Sequence, residues 1–230
     1  MIIGNGLIGK HFMIDSFKSD KIILFASGVS DSLCKDESQF KREENLLLSY
    51  LENSKSINYF IYFSTISIYD PSINNSPYVK HKMKMESLIL NYPNTIIFRI
   101  GQVASQKMGN KNNLLNFIYN AIISKKKIEL WSNSYRSIID IEDVVKIINK
   151  IITDSSINER IINVANPKFN SINEIVNVFE KVKSMKARHL ILNKGEEYEV
   201  NLDLISSIAP DIEINFDNTY LERVIKKYYL

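Results

Sequence analysis

Cysteine is nearly missing from this 230-residue sequence, where Cys34 stands alone. One thiol forms no intramolecular bridge, so the chain must rely on a packed core, and a reducing cytoplasmic setting is the simplest fit. Histidine is scarce too: three scattered residues beside a single cysteine offer no metal-ligand cluster. No apolar run is long enough to span a bilayer. The opening "MIIGNG" lacks the basic-then-apolar order of a secretory leader. Charge of one sign is also lacking. Lys and Arg total 29 against 26 Asp and Glu, a balance of +3 that is too mild to argue for nucleic acid or an anionic membrane as partner. There is no internal repeat and no Pro/Gly/Ser-rich linker.

What is present suits one soluble globular unit. The hydrophobic fraction is 45% and the charged fraction 24%, ordinary for such chains, and the length allows a core without staples. "MII" reads as a strand stub, and "GNGLIGKHFMIDSF" as a glycine turn opening a helix. "KIILFAS" and "INYFIYFST" read as buried strands, and "NTIIFRIG" as a third. Between them, "ESQFKREENLLLSYLENS" has helical spacing with Phe40, Leu47, Leu48 and Leu51 toward the core. "YVKHKMKMESLILNY" reads as a helix stopped by Pro93. "KNNLLNFIYNAIIS" is helical. "KKIELWSNSYRSIIDIEDVVKIINKII" reads as strand, loop and helix, and "INERIINVANPKFNSINEIVNVFEKV" repeats that order. The tail after Val182 is less periodic and is expected to form a small cap. Strands alternating with helices predict an α/β fold with a doubly wound parallel sheet.

Two patterns carry chemistry. The first is the turn Gly4-Asn5-Gly6-Leu7-Ile8-Gly9, at G-x-G-x-x-G spacing between a strand and a helix. Its glycines permit a tight turn, close approach of a pyrophosphate and close helix–strand packing, and the helix N-terminus favours phosphate. A glycine-rich turn without ligand is the plain alternative. The ribose-binding acid expected about 20 residues later, after a second strand, is missing. Asp15 and Asp20 are nearest and neither follows such a strand, so the usual second and third strands are absent. Weak cofactor binding with little choice between NADH and NADPH is expected, unless a partner subunit covers the adenosine.

The second pattern is Tyr78 four residues before Lys82, on one helix face. An ammonium beside a phenol is expected to lower its ordinary value near 10, preparing it to exchange a proton with a ketone or hydroxyl. The lysine is expected to have donors to spare for a nicotinamide ribose. Thr65 closes the preceding strand, where ligands of open α/β sheets bind. Against this stands the ordinary solvated lysine-rich helix.

Together "GNGLIG", "FASG", "FSTISIY", "YVKHKMKMES" and "RSIIDIEDV" resemble the extended short-chain dehydrogenases/reductases, specifically the NAD-dependent epimerase/dehydratase family acting on nucleotide sugars. The resemblance spans about residues 1–180, and the Tyr-x-x-x-Lys block followed by Glu86 is its most specific part. It implies a Rossmann-like sheet, shortened on the adenosine side, with a small C-terminal substrate-binding subdomain. Within one domain, residues 1–105 are expected to bind mainly the dinucleotide (NAD or NADP), and 106–230 to supply substrate-side elements and a cap. It implies Tyr78 as acid/base, Lys82 as its tuner and ribose ligand, and Thr65 as the group that orients the substrate oxygen. Ala26, Ser27 and Gly28 would line the cofactor. Arg136 would pair a substrate phosphate, and Gln102 would contact the nucleotide sugar, although a surface loop amide is equally consistent there. Asp143 matches a family acid expected to be structural.

Departures from the family narrow the reaction. The Asp-Glu that follows the threonine in 4,6-dehydratases is Ile66-Ser67 here, which argues against dehydration. Ser67 is also poorly suited to the carbon-acid epimerisation that a cysteine nearby supports in other members. The expectation is an NAD(P)-dependent reductase of a keto nucleotide sugar in surface polysaccharide biosynthesis, cytoplasmic and with a homodimer possible. The alternatives are a 4-epimerase and a non-catalytic dinucleotide-binding sensor or scaffold.

Overall fold

The computed structural model describes residues 1–14, 21–53, 57–106, 113–154 and 156–230, with the side chains of residues 13 and 14 left out. The acids Asp15 and Asp20 and the end of the expected first helix therefore lie outside the described residues, as does the start of the fourth.

In chain order the first unit opens with β1 (Ile2–Ile3), α1 (Leu7–Ile14), β2 (Ile22–Phe25), α2 (Glu37–Leu51), β3 (Tyr59–Thr65), α3 (Pro77–Leu90) and β4 (Thr95–Ile100). Then come β5 (Gln102–Ala104), α4 (Leu114–Ile123), β6 (Lys127–Trp131), β7 (Tyr135–Asp140) and α5 (Ile141–Thr153). The chain continues with β8 (Ile161–Val164), β9 (Phe169–Ser171), α6 (Ile172–Lys183), β10 (Arg188–Leu192), α7 (Asp203–Ile208) and α8 (Tyr220–Tyr229). Two compact units result: residues 1–100 with 145–164, and residues 101–144 with 165–230.

The first unit is built on a parallel five-stranded sheet in the order β1-β2-β3-β4-β8. β3 is "YFIYFST", buried from its second residue on, which is the signature of a strand covered on both faces. Ile23, Phe25, Leu47, Leu51, Phe60, Tyr62, Met85 and Ile89 form a core of this unit. Among the described residues β1 pairs only with β2, so the sheet stops where a full dinucleotide fold continues with two more strands. The expected shortening is present.

Local signals set α3. The Ser76 hydroxyl accepts from the Val79 N–H, and Pro77 takes the first turn, where its missing N–H costs nothing. That start places Tyr78 in the first turn and Lys82 one turn later.

The second unit carries a three-stranded sheet in the order β5-β7-β9 and a two-stranded pair β10-β6. β5, β7, β9 and β10 are strands that the sequence reading did not separate. The capping box of α6, Ser171 with Glu174, fixes its start. Its core packs Ile118, Ile122, Ile175, Phe179, Val224 and Tyr229. The tail is an ordered part of it: on α8, Tyr220 donates from its hydroxyl to Asp143 Oδ2 at 2.6 Å and accepts the Asp140 N–H at 2.9 Å. Asp143 is thereby tied to α8. Replacing Tyr220 by Phe removes both bonds and deprives the buried Asp140 N–H of its acceptor. A loss of about 1–3 kcal/mol is expected, measurable as a lower denaturant midpoint at unchanged slope.

Candidate functional site

The glycine turn has the geometry a pyrophosphate needs. Gly4 sits at φ +104°, and a Cβ there would lie 2.5 Å from the Ala26 carbonyl oxygen, so only glycine fits. At Gly9 a Cβ would come within 2.6 Å of the Gly4 oxygen, so the start of α1 presses directly on the turn. At Gly6, among the described residues, a Cβ would meet only the Ala26 oxygen, at 3.6 Å, which leaves that backbone approachable. Asn5, Leu7 and Ile8 complete the turn into α1. These residues fit a dinucleotide phosphate. Ala26 follows β2, its N–H bonded to the Ile3 carbonyl at 2.7 Å. Ser27 is held by Arg42, which donates to the Ser27 carbonyl at 3.0 Å and its hydroxyl at 3.3 Å.

Thr65, Tyr78 and Lys82 come together. The Thr65 side chain ends β3 and accepts the Ser67 N–H at 3.1 Å, and its hydroxyl stands near enough to the Tyr78 phenol to act on it. Tyr78 is 7% exposed and Lys82 2%. The Lys82 Nζ lies 6.0 Å from the centre of the Tyr78 ring.

Here the structure corrects two expectations. Lys82 has no donors to spare. Its Nζ donates to Glu43 Oε1 at 3.1 Å, to the Tyr62 hydroxyl at 3.0 Å and to the Phe63 carbonyl at 3.4 Å, matching the three donors of an ammonium. Nor is the phenol of Tyr78 made more acidic. Burial pushes it well above its usual value; the nearby Thr65 hydroxyl opposes this, while the negative charges of Glu43 and Asp31 reinforce it. The lysine charge is already answered by a carboxylate, so it does not draw a proton from the phenol.

That carboxylate is Glu43, with no exposed surface. It accepts from the Val29 N–H at 2.6 Å and the Tyr62 hydroxyl at 2.6 Å, pairs with His81 Nε2 at 2.9 Å, and takes the Lys82 bond. Burial works to raise it, but the Lys82 charge and the hydrogen bonds from His81, Tyr62 and Val29 outweigh that and hold it at about 2. Gly28 closes over this pair: a Cβ there would stand 2.8 Å from both Glu43 Oε1 and Lys82 Nζ.

Glu86 belongs to a separate network. Arg99 donates to it from Nε at 3.0 Å and from Nη2 at 2.5 Å, Ser64 donates at 2.5 Å, and Arg99 Nη1 donates to Tyr69 at 2.6 Å. It ties β3, α3 and β4 together.

In the second unit, Gln102 opens β5 and Arg136 lies on β7, both half-buried. Arg136 Nη1 donates to the Tyr135 carbonyl at 2.6 Å. Asn170 of β9 is its direct cross-strand partner, so the two side chains share a face. Among the described residues the buried Asn170 Oδ1 has no hydrogen-bond partner.

Residues 9–165 match the model of the NAD dependent epimerase/dehydratase family. The chain belongs to this family. None of the curated proteins matches it. Among solved structures, UDP-glucuronic acid 4-epimerase from Bacillus cereus in complex with NAD is 17% identical with a TM-score of 0.72, over 98% of this chain and 76% of that one. UDP-glucose 4-epimerase from Thermus thermophilus, also with NAD, is 12% identical with a TM-score of 0.68, over 94% and 78%. The dTDP-glucose 4,6-dehydratase of Bacillus anthracis str. Ames, again with NAD, is 14% identical with a TM-score of 0.67, over 95% and 75%. At these identities the likeness is one of fold. Among the described residues no helix is long and apolar enough to cross a membrane.

Sequence reading missed Glu43 in this family member, although a signal was there. Glu43, Leu47 and Leu51 are spaced i, i+4, i+8, so the acid sits in the apolar stripe of α2, where a charge demands a buried partner. One consequence is measurable. The folded value of Glu43 is depressed from 4.5 to about 2, so its contribution is fully present above pH 4.5 and is lost as pH falls toward 2. It amounts to about 3 kcal/mol. Urea titrations through that range should show this loss in the wild-type protein and a much flatter profile in Glu43→Gln.

Proposed function

We propose that the chain is an NAD(P)-dependent reductase of a keto group on a nucleotide sugar. The observation that carries this reading is Tyr78: a buried phenol close to Thr65, beside a lysine whose charge is balanced by Glu43. When bound, the reduced nicotinamide supplies the hydride. Tyr78 delivers its phenolic proton to the carbonyl oxygen, and the Thr65 hydroxyl orients that oxygen. The phenolate left after transfer is reprotonated from solvent. Lys82 would reach the cofactor ribose only by giving up one of its three bonds, of which the 3.4 Å contact to the Phe63 carbonyl is the longest. Arg136 holds the substrate phosphate with its planar fork, and Gln102 contacts the nucleotide sugar. Ile66, 4% exposed, stands where a dehydratase needs a proton-transferring acid, which supports simple reduction.

A 4-epimerase is the second reading, favoured by the activities printed for the similar solved structures from Bacillus cereus and Thermus thermophilus. It asks Tyr78 first to remove a proton, and a phenol raised by burial is poorly prepared for that. A sensor or scaffold has no use for the Thr65–Tyr78–Lys82 set. Oxidation of NADH and NADPH should be followed with a panel of 4-keto nucleotide sugars. Turnover on at least one is expected, falling roughly 10²-fold or more in Tyr78→Phe with the fold intact. Binding without turnover on every member favours the sensor. Interconversion of 4-hydroxyl epimers without net cofactor oxidation favours the epimerase.

A further inference from the structure

We propose that Glu43 is a positioning residue for the Tyr78–Lys82 pair: its buried carboxylate pins the Lys82 ammonium against β3 and keeps it charged. This rests on the reductase reading for its purpose, but the interaction itself stands on geometry. Lys82 is 2% exposed and Glu43 0%. An ammonium so deeply buried sheds its proton unless an anion answers it. Burial does pull Lys82 below its ordinary value, and Glu43 is the first group opposing that pull.

The carboxylate is itself held from several directions. The Val29 N–H and the Tyr62 hydroxyl donate to its two oxygens, and His81 meets it from α3 at 2.9 Å. His81 in turn stacks on Phe40 at 4.5 Å between ring centres. Glu43 therefore cannot swing away and leave Lys82 to find another anion. The charged and titratable groups facing the pair are Tyr62 on β3, and Tyr78, His81 and Glu86 on α3. Asp31, after β2, acts on Tyr78. Among the described residues, Glu43 is the acid that touches Lys82 Nζ, while Glu86 and Asp31 do not.

Glu43→Gln keeps the shape and removes the charge. The test is the pH titration of Lys82 by NMR in protein carrying ¹³C-labelled lysine, with the signal assigned through Lys82→Arg. In the wild type, the Lys82 curve sets the reference, with burial pulling it below the ordinary lysine value and Glu43 opposing that pull. In Glu43→Gln its neutral form should appear roughly one pH unit lower or more. Should that variant not fold, Glu43→Asp withdraws the same charge by one methylene and should shift the curve the same way by less. An unchanged Lys82 titration in either folded variant overturns the proposal. A purely structural role for Glu43 predicts lower stability with that unchanged curve. The titration needs neither substrate nor cofactor, so it reads out even if no keto sugar is reduced. Where turnover is found, the alkaline limb of kcat/KM should move down with the Lys82 curve.

Discussion

A carboxylate without solvent is the constraint on which the first unit depends. Glu43 sits in the stripe of α2 that faces the sheet, and burying such a group alone is prohibitive. The chain meets it with a backbone N–H, a phenol, an imidazole and an ammonium, drawn from the loop after β2, from β3 and from α3. Removing one partner of a buried ion pair typically costs about 3–5 kcal/mol. The pair therefore fixes where α2 and α3 lie against β3, and with them where Lys82 and Tyr78 lie. Gly28 follows from the same constraint, since any side chain there would strike both charged groups.

The chemistry follows from this charge balance. A free ammonium beside Tyr78 would favour phenolate and a base. An ammonium already paired with Glu43 leaves the phenol to its burial, which favours the protonated form. In the proposed reaction, the carboxylate behind the lysine would favour proton donation by Tyr78 over proton removal. That links the position of one acid on α2 to the direction of reaction proposed for the whole chain.

Much of this was legible in the sequence. The G-x-G-x-x-G spacing, the buried β3 and the Tyr78–Lys82 pair all come from local rules of period, turn chemistry and capping. The short adenosine side was legible because too few residues separate Gly9 from β2 for another strand. What was not legible is tertiary. Lys82 reads as the partner of Tyr78 with donors to spare, and only the fold shows it turned inward to Glu43, 39 positions away. Glu86 reads as part of the family block, yet its partner Arg99 lies on β4. β5, β9 and β10 are short or exposed, so they carry too little apolar pattern to announce themselves. The return of the chain through β8 to complete the first sheet is a long-range pairing that no local pattern encodes.

The central claim is that Tyr78 is a neutral phenol at physiological pH, with Lys82 unable to acidify it. Tyrosinate ultraviolet absorbance, titrated in the wild type and in Tyr78→Phe, tests this most directly. The account predicts that the two difference spectra coincide up to about pH 10, the ordinary tyrosine value, because Tyr78 contributes no phenolate below it. A Tyr78-dependent rise in tyrosinate absorbance between about pH 6 and 8 would contradict it.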